Sequence, residues 1–130
     1  MTGLAYADAS ALVKLVVQEA ESAALHRWYV DAERVITSRV GVVETRRASA
    51  RHPHDPVHRD RIVEDLEVVE LDESIGRAAG ALEPAGIRTL DAIHLATALQ
   101  LLPQLDAFVT YDDRLAGAAR ALGLPVVRPA

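Results

Sequence analysis

Four carboxylates stand where the chain would turn from one element into the next. Asp8 follows the apolar run Leu4-Ala5-Tyr6-Ala7, and Glu44 comes shortly after Arg34-Val35-Ile36-Thr37-Ser38. Asp91 falls in the first turn of the apolar stretch from Leu90 to Leu102, and Asp112 lies two residues after Thr110. Each acid alone is explained by helix capping or by the helix dipole. Four of them at strand ends or helix starts of one small chain point instead to convergence. Two carboxylates about 4 Å apart repel by roughly 4 kcal/mol at an effective dielectric near 20, so such a cluster requires cations. Oxygen-only ligands select hard ions, Mg2+ or Mn2+. Those ions activate water and stabilise the attacking and leaving oxygens of an in-line phosphoryl displacement, which makes phosphodiester hydrolysis the chemistry expected.

The elements that must position these acids are read from periodicity and capping. Leu90, Ile93, Leu95, Ala98, Leu99 and Leu102 recur at helical spacing, so this helix is expected to lie mostly in the core, with Thr89 as its N-cap. Leu4 to Ala7 reads as a strand, Ser10 to Val17 and Ala23 to Val30 as helices, and Arg34 to Ser38 as a second strand. A helix from about Val42 would put Glu44 at its start. Ile62 to Leu66 ends a further helix, Val68 to Leu71 is a strand, and Asp72 caps a helix running to Leu82. Ala107 to Thr110 is a fourth strand, Leu115 to Leu122 a helix closed by Gly123, and Pro125 to Val127 a last strand. This α/β alternation, with right-handed crossovers, puts helices on both faces of a parallel sheet and gathers the strand ends along one edge. Ligands of open parallel sheets bind beyond those ends.

Composition narrows the classes. A chain of 130 residues and half hydrophobic content is expected to form one domain, residues 1–130, around its own core. It has no cysteine, hence no thiolate metal site, and its start carries no basic-then-apolar leader; a soluble, cytoplasmic protein without a membrane span is expected. The formal net charge of -5 argues against indiscriminate nucleic-acid binding. One locally basic stretch, with Arg46, Arg47, Arg51, Arg59 and Arg61, could form a rim for a phosphate backbone. His52, His54 and His58 in the same stretch do not make a convincing metal site, because Pro53 and Pro56 mark a linker and no acid or thiol completes them. Lys14 is expected to face solvent. Leu12, Leu15, Val16, Leu25, Trp28 and Tyr29 are more apolar surface than one helix pair needs, so part of the set is expected to receive a partner's amphipathic helix.

Three stretches carry a resemblance: Tyr6-Ala7-Asp8-Ala9-Ser10-Ala11-Leu12-Val13-Lys14-Leu15, Arg88-Thr89-Leu90-Asp91-Ala92-Ile93-His94-Leu95-Ala96, and Val109-Thr110-Tyr111-Asp112-Asp113-Arg114-Leu115. In this order and at this length the chain resembles the PIN-domain ribonucleases and, within them, the VapC toxins of bacterial toxin–antitoxin pairs. The resemblance implies a single PIN-like nuclease domain with a five-stranded parallel sheet and a metal quartet of Asp8, Glu44, Asp91 and Asp112. Ser10 or Thr110 would give polar support, and Asp113 could substitute for its neighbour. It further implies a homodimer, RNA cleavage dependent on Mg2+ or Mn2+, and silencing by a cognate antitoxin whose tail covers the site. The rival reading is a catalytically silent module of the same fold that binds RNA or protein. A DEDD-type exonuclease would need a second acid two residues after the first, where this chain has Ser10.

Overall fold

Alternation along the first strand separates two cores. In β1, Leu4–Ala7, the side chains of Ala5 and Ala7 join one buried cluster, and those of Leu4 and Tyr6 join the other. The computed structural model describes residues 3–130; Met1 and Thr2 of the expected domain lie outside the described residues. The remaining strands are β2 (Arg34–Ser38), β3 (Glu67–Val69), β4 (Ala107–Val109) and β5 (Val126–Val127). They form one five-stranded sheet in the order β3-β2-β1-β4-β5, and every pairing is parallel. The helices are α1 (Ala9–Val16), α2 (Ser22–Asp31), α3 (Arg39–Ser49), α4 (Pro56–Asp65), α5 (Glu73–Gly80), α6 (Thr89–Leu99) and α7 (Asp113–Ala121). Leu12, Leu15, Leu25 and Ile62 of α1, α2 and α4 cover the Ala5 face. Leu95, Ala98, Leu115 and Ala119 of α6 and α7 cover the Tyr6 face. Gly123 takes φ +85 just after α7, the left-handed position that favours glycine.

Four expectations need correction. Helix α3 begins at Arg39, because Ser38 caps it by accepting from the Val40 N–H at 3.0 Å, with no linker after β2. Val40-Gly41 looked like a break, but a Cβ at residue 41 would overlap Thr37 Oγ1, so glycine there serves close helix–strand approach. The cap position of α6 is Arg88 rather than Thr89, and no side chain closes that end. Lys14 is not a solvent-facing lysine: its side chain is 12% exposed and pairs with Glu21 at 2.6 Å and Glu19 at 3.2 Å. Leu12, Leu15, Val16 and Leu25 are buried, with Trp28 and Tyr29 packed against them, so the apolar set proposed for a partner is core. Helix pairs on this face must cover three strands and α4 as well, which absorbs the apparent surplus. Among the described residues, no helix is long and apolar enough to cross a membrane.

Candidate active site

Register places the first two site residues. Ala7 pairs with Val109 across β1 and β4, so one step further Asp8 and Thr110 leave the sheet side by side, 102 residues apart in sequence. This is where strand order reverses, the crevice position of an open α/β sheet. Thr110 Oγ1 donates to Asp8 Oδ2 at 2.7 Å, and Ser10 Oγ donates to Oδ1 at 2.7 Å. The Ala11 N–H reaches the same Oδ1 at 3.1 Å and caps α1. Each hydroxyl has one proton and gives it to Asp8, so the 3.2 Å approach of Ser10 Oγ to Thr110 Oγ1 shares none. Both hydroxyls accept in return, Ser10 from the Tyr111 N–H at 2.8 Å and Thr110 from the Asp112 N–H at 3.1 Å. Asp8 is thereby tied by two hydroxyls to the turn that carries Asp112.

The other acids line the same edge and are all more exposed than Asp8. Asp112 is the N-cap of α7, its Oδ1 accepting from the Leu115 N–H at 3.0 Å, and the residue is exposed. Asp91 is half-buried in the first turn of α6 and has no hydrogen-bond partner among the described residues. Glu44 lies in the second turn of α3, past the free N–H groups that would make it a dipole partner. Its Oε1 sits 2.6 Å from His94 Nε2. Asp113, offered as a substitute, turns away: it is 91% exposed in its ion pair with Arg128 at 2.7 Å.

Electrostatics follow from this burial gradient. Asp8 is 4% exposed, and burial pushes its carboxyl above the ordinary range even though Ser10 and Thr110 pull it down. Asp91 is also pushed up, first by burial and then by the charge of Asp112. The edge therefore holds oxygen donors whose negative charge the protein solvates poorly, and that donor set fits a hard divalent cation. As they stand, no three His, Asp or Glu side chains among the described residues form a ready ion cage. Asp8 is engaged by three donors and Glu44 is turned to His94.

A cleft of about 580 Å3 opens beside these acids between α1 and α3, lined by Ser10, Val13, Glu44, Leu90 and Tyr111 and by the cations Lys14, Arg47 and Arg51. Of the expected arginine rim, Arg46 and Arg59 both contact Asp60 at 3.1 Å. Arg61 is exposed on α4 and does not line the cleft. Two nearby histidines meet backbone carbonyls, His54 Nδ1 that of His52 at 2.9 Å and His58 Nε2 that of Leu15 on α1 at 2.8 Å. A second groove of about 460 Å3 between α5 and α6 offers only Glu83 and Thr89 as polar side chains.

Two residues at the site escaped the sequence reading. His94 is 2% exposed and bridges Glu44 to the Tyr6 hydroxyl, which lies 2.6 Å from its Nδ1. The available signal was its place three residues after Asp91, on the same face of α6.

A family model for the PIN domain matches residues 5–121. The chain is 38% identical over 130 residues to Ribonuclease VapC47 of Mycobacterium tuberculosis, spanning 95% of this chain and 96% of the relative. It is 40% identical over 130 residues to Ribonuclease VapC46 and 43% identical over 129 residues to Ribonuclease VapC35 of the same species, with the same coverage. Among solved structures, Mycobacterium tuberculosis VapC20, a Sarcin-Ricin loop cleaving toxin, superposes with a TM-score of 0.72 at 17% identity, covering 96% of this chain and 99% of that one. FitAB bound to an IR36 DNA fragment gives a TM-score of 0.69 at 19% identity, covering 96% and 94%. At those identities the two structures share the fold.

Proposed function

The chain belongs to the PIN domain family and, within it, to the VapC ribonucleases, and from that premise we propose that it is a Mg2+- or Mn2+-dependent endoribonuclease, the toxin of a toxin–antitoxin pair. The observation that carries the reading is the row of acids along the carboxyl edge of the sheet, with Asp8 buried and locked by Ser10 and Thr110. Asp8, Asp91 and Asp112 are assigned to hold metal directly, and the longer Glu44 to act at the site's margin. The metal, when bound, supplies a stronger water nucleophile and stabilises charge on the phosphoryl oxygens.

The chain's own residues do the rest. Ser10 and Thr110 keep the Asp8 carboxylate in one orientation, so that no side-chain entropy remains to be lost when the site fills. Arg47 and Arg51 line the cleft beside Glu44 and would hold backbone phosphates on either side of the scissile bond, while Lys14, which also lines it, is engaged by Glu19 and Glu21 and is assigned a smaller part. Arg46 and Arg59 are assigned a smaller part of that track because Asp60 neutralises them, and Arg61 a smaller part still because it lies outside the cleft. The protein would act in the cytoplasm as a homodimer, with a cognate antitoxin whose tail lies over the acids.

Incubating the purified protein, free of any partner, with total cellular RNA, with and without Mg2+, tests this. New 5′-phosphate and 3′-hydroxyl ends that need Mg2+, and that Asp91→Asn fails to produce, are expected. RNA left intact under every metal condition would instead favour the catalytically silent binding module.

A further inference from the structure

Glu44 is the one acid of the row with a side-chain partner on another helix, and that partner is itself fixed from below. His94 on α6 places Nε2 2.6 Å from Glu44 Oε1 and Nδ1 2.6 Å from the Tyr6 hydroxyl of β1. Tyr6 is fully buried, so its phenol keeps its proton and must donate it somewhere within reach. Donation to Nδ1 leaves the imidazole hydrogen on Nε2, where it meets the carboxylate. The opposite tautomer would aim the lone pair of Nε2 at a carboxylate oxygen, which can only accept.

The ring planes are fixed as well. Tyr6 stacks on Phe108 with centroids 5.3 Å apart and planes at 7°, and it meets His94 edge-on at 5.8 Å and 76°. Gly41 lets α3 come down on this assembly, since a Cβ there would stand 3.2 Å from His94 Cε1. Three residues on, along the same face of α3, comes Glu44. A histidine that merely filled core space would be satisfied by a nearby carbonyl. This one joins three elements, and its last contact is an acid of the site. The Glu44 side chain stays 30% exposed, so one oxygen is pinned and the other is left to the cleft.

We propose that His94, held from behind by Tyr6, is a positioning residue that fixes the Glu44 carboxylate toward the metal-binding acids. The inference rests on the reading of Glu44 as a metal acid. Partners that orient a ligating group from behind typically change metal affinity by roughly 10- to 100-fold when removed. The test uses the full chain and titrates Mn2+ by calorimetry, with melting temperature in EDTA measured alongside. His94→Leu should weaken Mn2+ binding by roughly 10-fold or more, and His94→Gln, which keeps an N–H near the Nε2 position, should recover most of it. Tyr6→Phe keeps the ring stack but removes the contact at Nδ1, and it should weaken Mn2+ binding by a smaller factor while KM for RNA holds. On the metal-free protein, long-range 1H–15N spectra should show the proton on Nε2 in wild type.

An Nδ1–H tautomer in wild type would overturn the proposal. So would His94→Leu and His94→Gln variants that lose melting temperature alike while binding Mn2+ as wild type does, because that is core packing alone. If wild type itself binds no Mn2+, the metal reading fails and the proposal goes with it. Variants that match a Mn2+-binding wild type defeat the positioning role only.

Discussion

Replacing Thr110 by Val removes a hydroxyl and almost no volume, which isolates what that hydroxyl does. In the wild type it donates to the buried Asp8 Oδ2 at 2.7 Å and accepts from the Asp112 N–H at 3.1 Å. A hydrogen bond to a charged acceptor contributes about 1.5–3 kcal/mol. The Asp112 N–H, left without its partner but close to solvent, adds up to about 1 kcal/mol. Thr110→Val should therefore cost about 2–4 kcal/mol, whereas Thr110→Ser keeps both bonds and loses one methyl, about 1 kcal/mol. For a domain of this size each kcal/mol moves the melting temperature by roughly 4 °C, so Val should melt about 10 °C lower than wild type. Urea denaturation in EDTA measures the difference. The lost donor favoured ionised Asp8, so the deficit of the Val variant should be largest near neutral pH and shrink as acid protonates that carboxyl. A Val variant as stable as the Ser variant, or a deficit that ignores pH, would refute the hydroxyl's role as the lock on Asp8.

Other perturbations separate charge from capping. Asp91→Asn removes a like charge without removing a hydrogen bond, so it should raise the melting temperature in EDTA, abolish RNA cleavage and reduce the shift caused by millimolar Mn2+; unchanged cleavage would take Asp91 out of the site. Asp8 and Asp91 are both pushed up in the folded chain, so the folded state holds more protons than the unfolded one, and metal-free stability should fall as pH rises from the ordinary carboxylate range through their folded values. The surface acids Asp60, Glu67 and Glu70 are held low by arginines, and their contribution is lost only at lower pH, so a melting series in EDTA that compares wild type with Asp8→Asn and Asp91→Asn separates the raised pair. Arg47→Ala and Arg51→Ala should each flatten the log–log salt dependence of RNA binding by somewhat under one unit, while Arg61→Ala leaves it unchanged.

Much of this fold was legible because its signals are local. The strand Arg34 to Ser38 is centred on the β-branched run Val35-Ile36-Thr37, and Asp72 and Gly123 bound helices by capping chemistry that needs no tertiary context. The start of α3 was misplaced because Val40-Gly41 has poor helix propensity, and only the packing of Thr37 and His94 against that backbone shows why glycine is there. The same error put Glu44 at a helix start. The positions of the acids at the sheet edge were legible, whereas the partner of Glu44 was not, since His94 lies inside an apolar pattern and Tyr6 meets it across 88 residues. Lys14 and the apolar residues of α1 and α2 were misjudged for a common reason. How much surface a helix pair must cover depends on α4 and on the sheet behind it, which one helical period does not reveal.

For Asp8 and Asp112, the two acids of the row that cap helices, a cap and a place in a site do not exclude each other. Capping uses one carboxylate oxygen and leaves the other. Asp112 gives Oδ1 to the Leu115 N–H, and its remaining oxygen faces no protein donor among the described residues. Asp8 gives Oδ1 to the Ala11 N–H and to Ser10, and Oδ2 to Thr110. A helix N-terminus is thus the place where a small α/β domain can keep a charge at low solvation, because free N–H groups and the dipole offset part of the burial that raises its pKa. Asp91 shows the other limit: with no donor of its own, it is held up by burial and by Asp112, and it is the acid whose charge the fold does least to support. If a divalent ion is what this edge is built to hold, its stabilising effect should therefore be felt most through Asp91, which has no donor of its own, and less through Asp112 and Asp8, which have. Mn2+ titrations of the three Asp→Asn variants give that order directly, and an equal loss at all three positions would mean that the caps contribute nothing to the site.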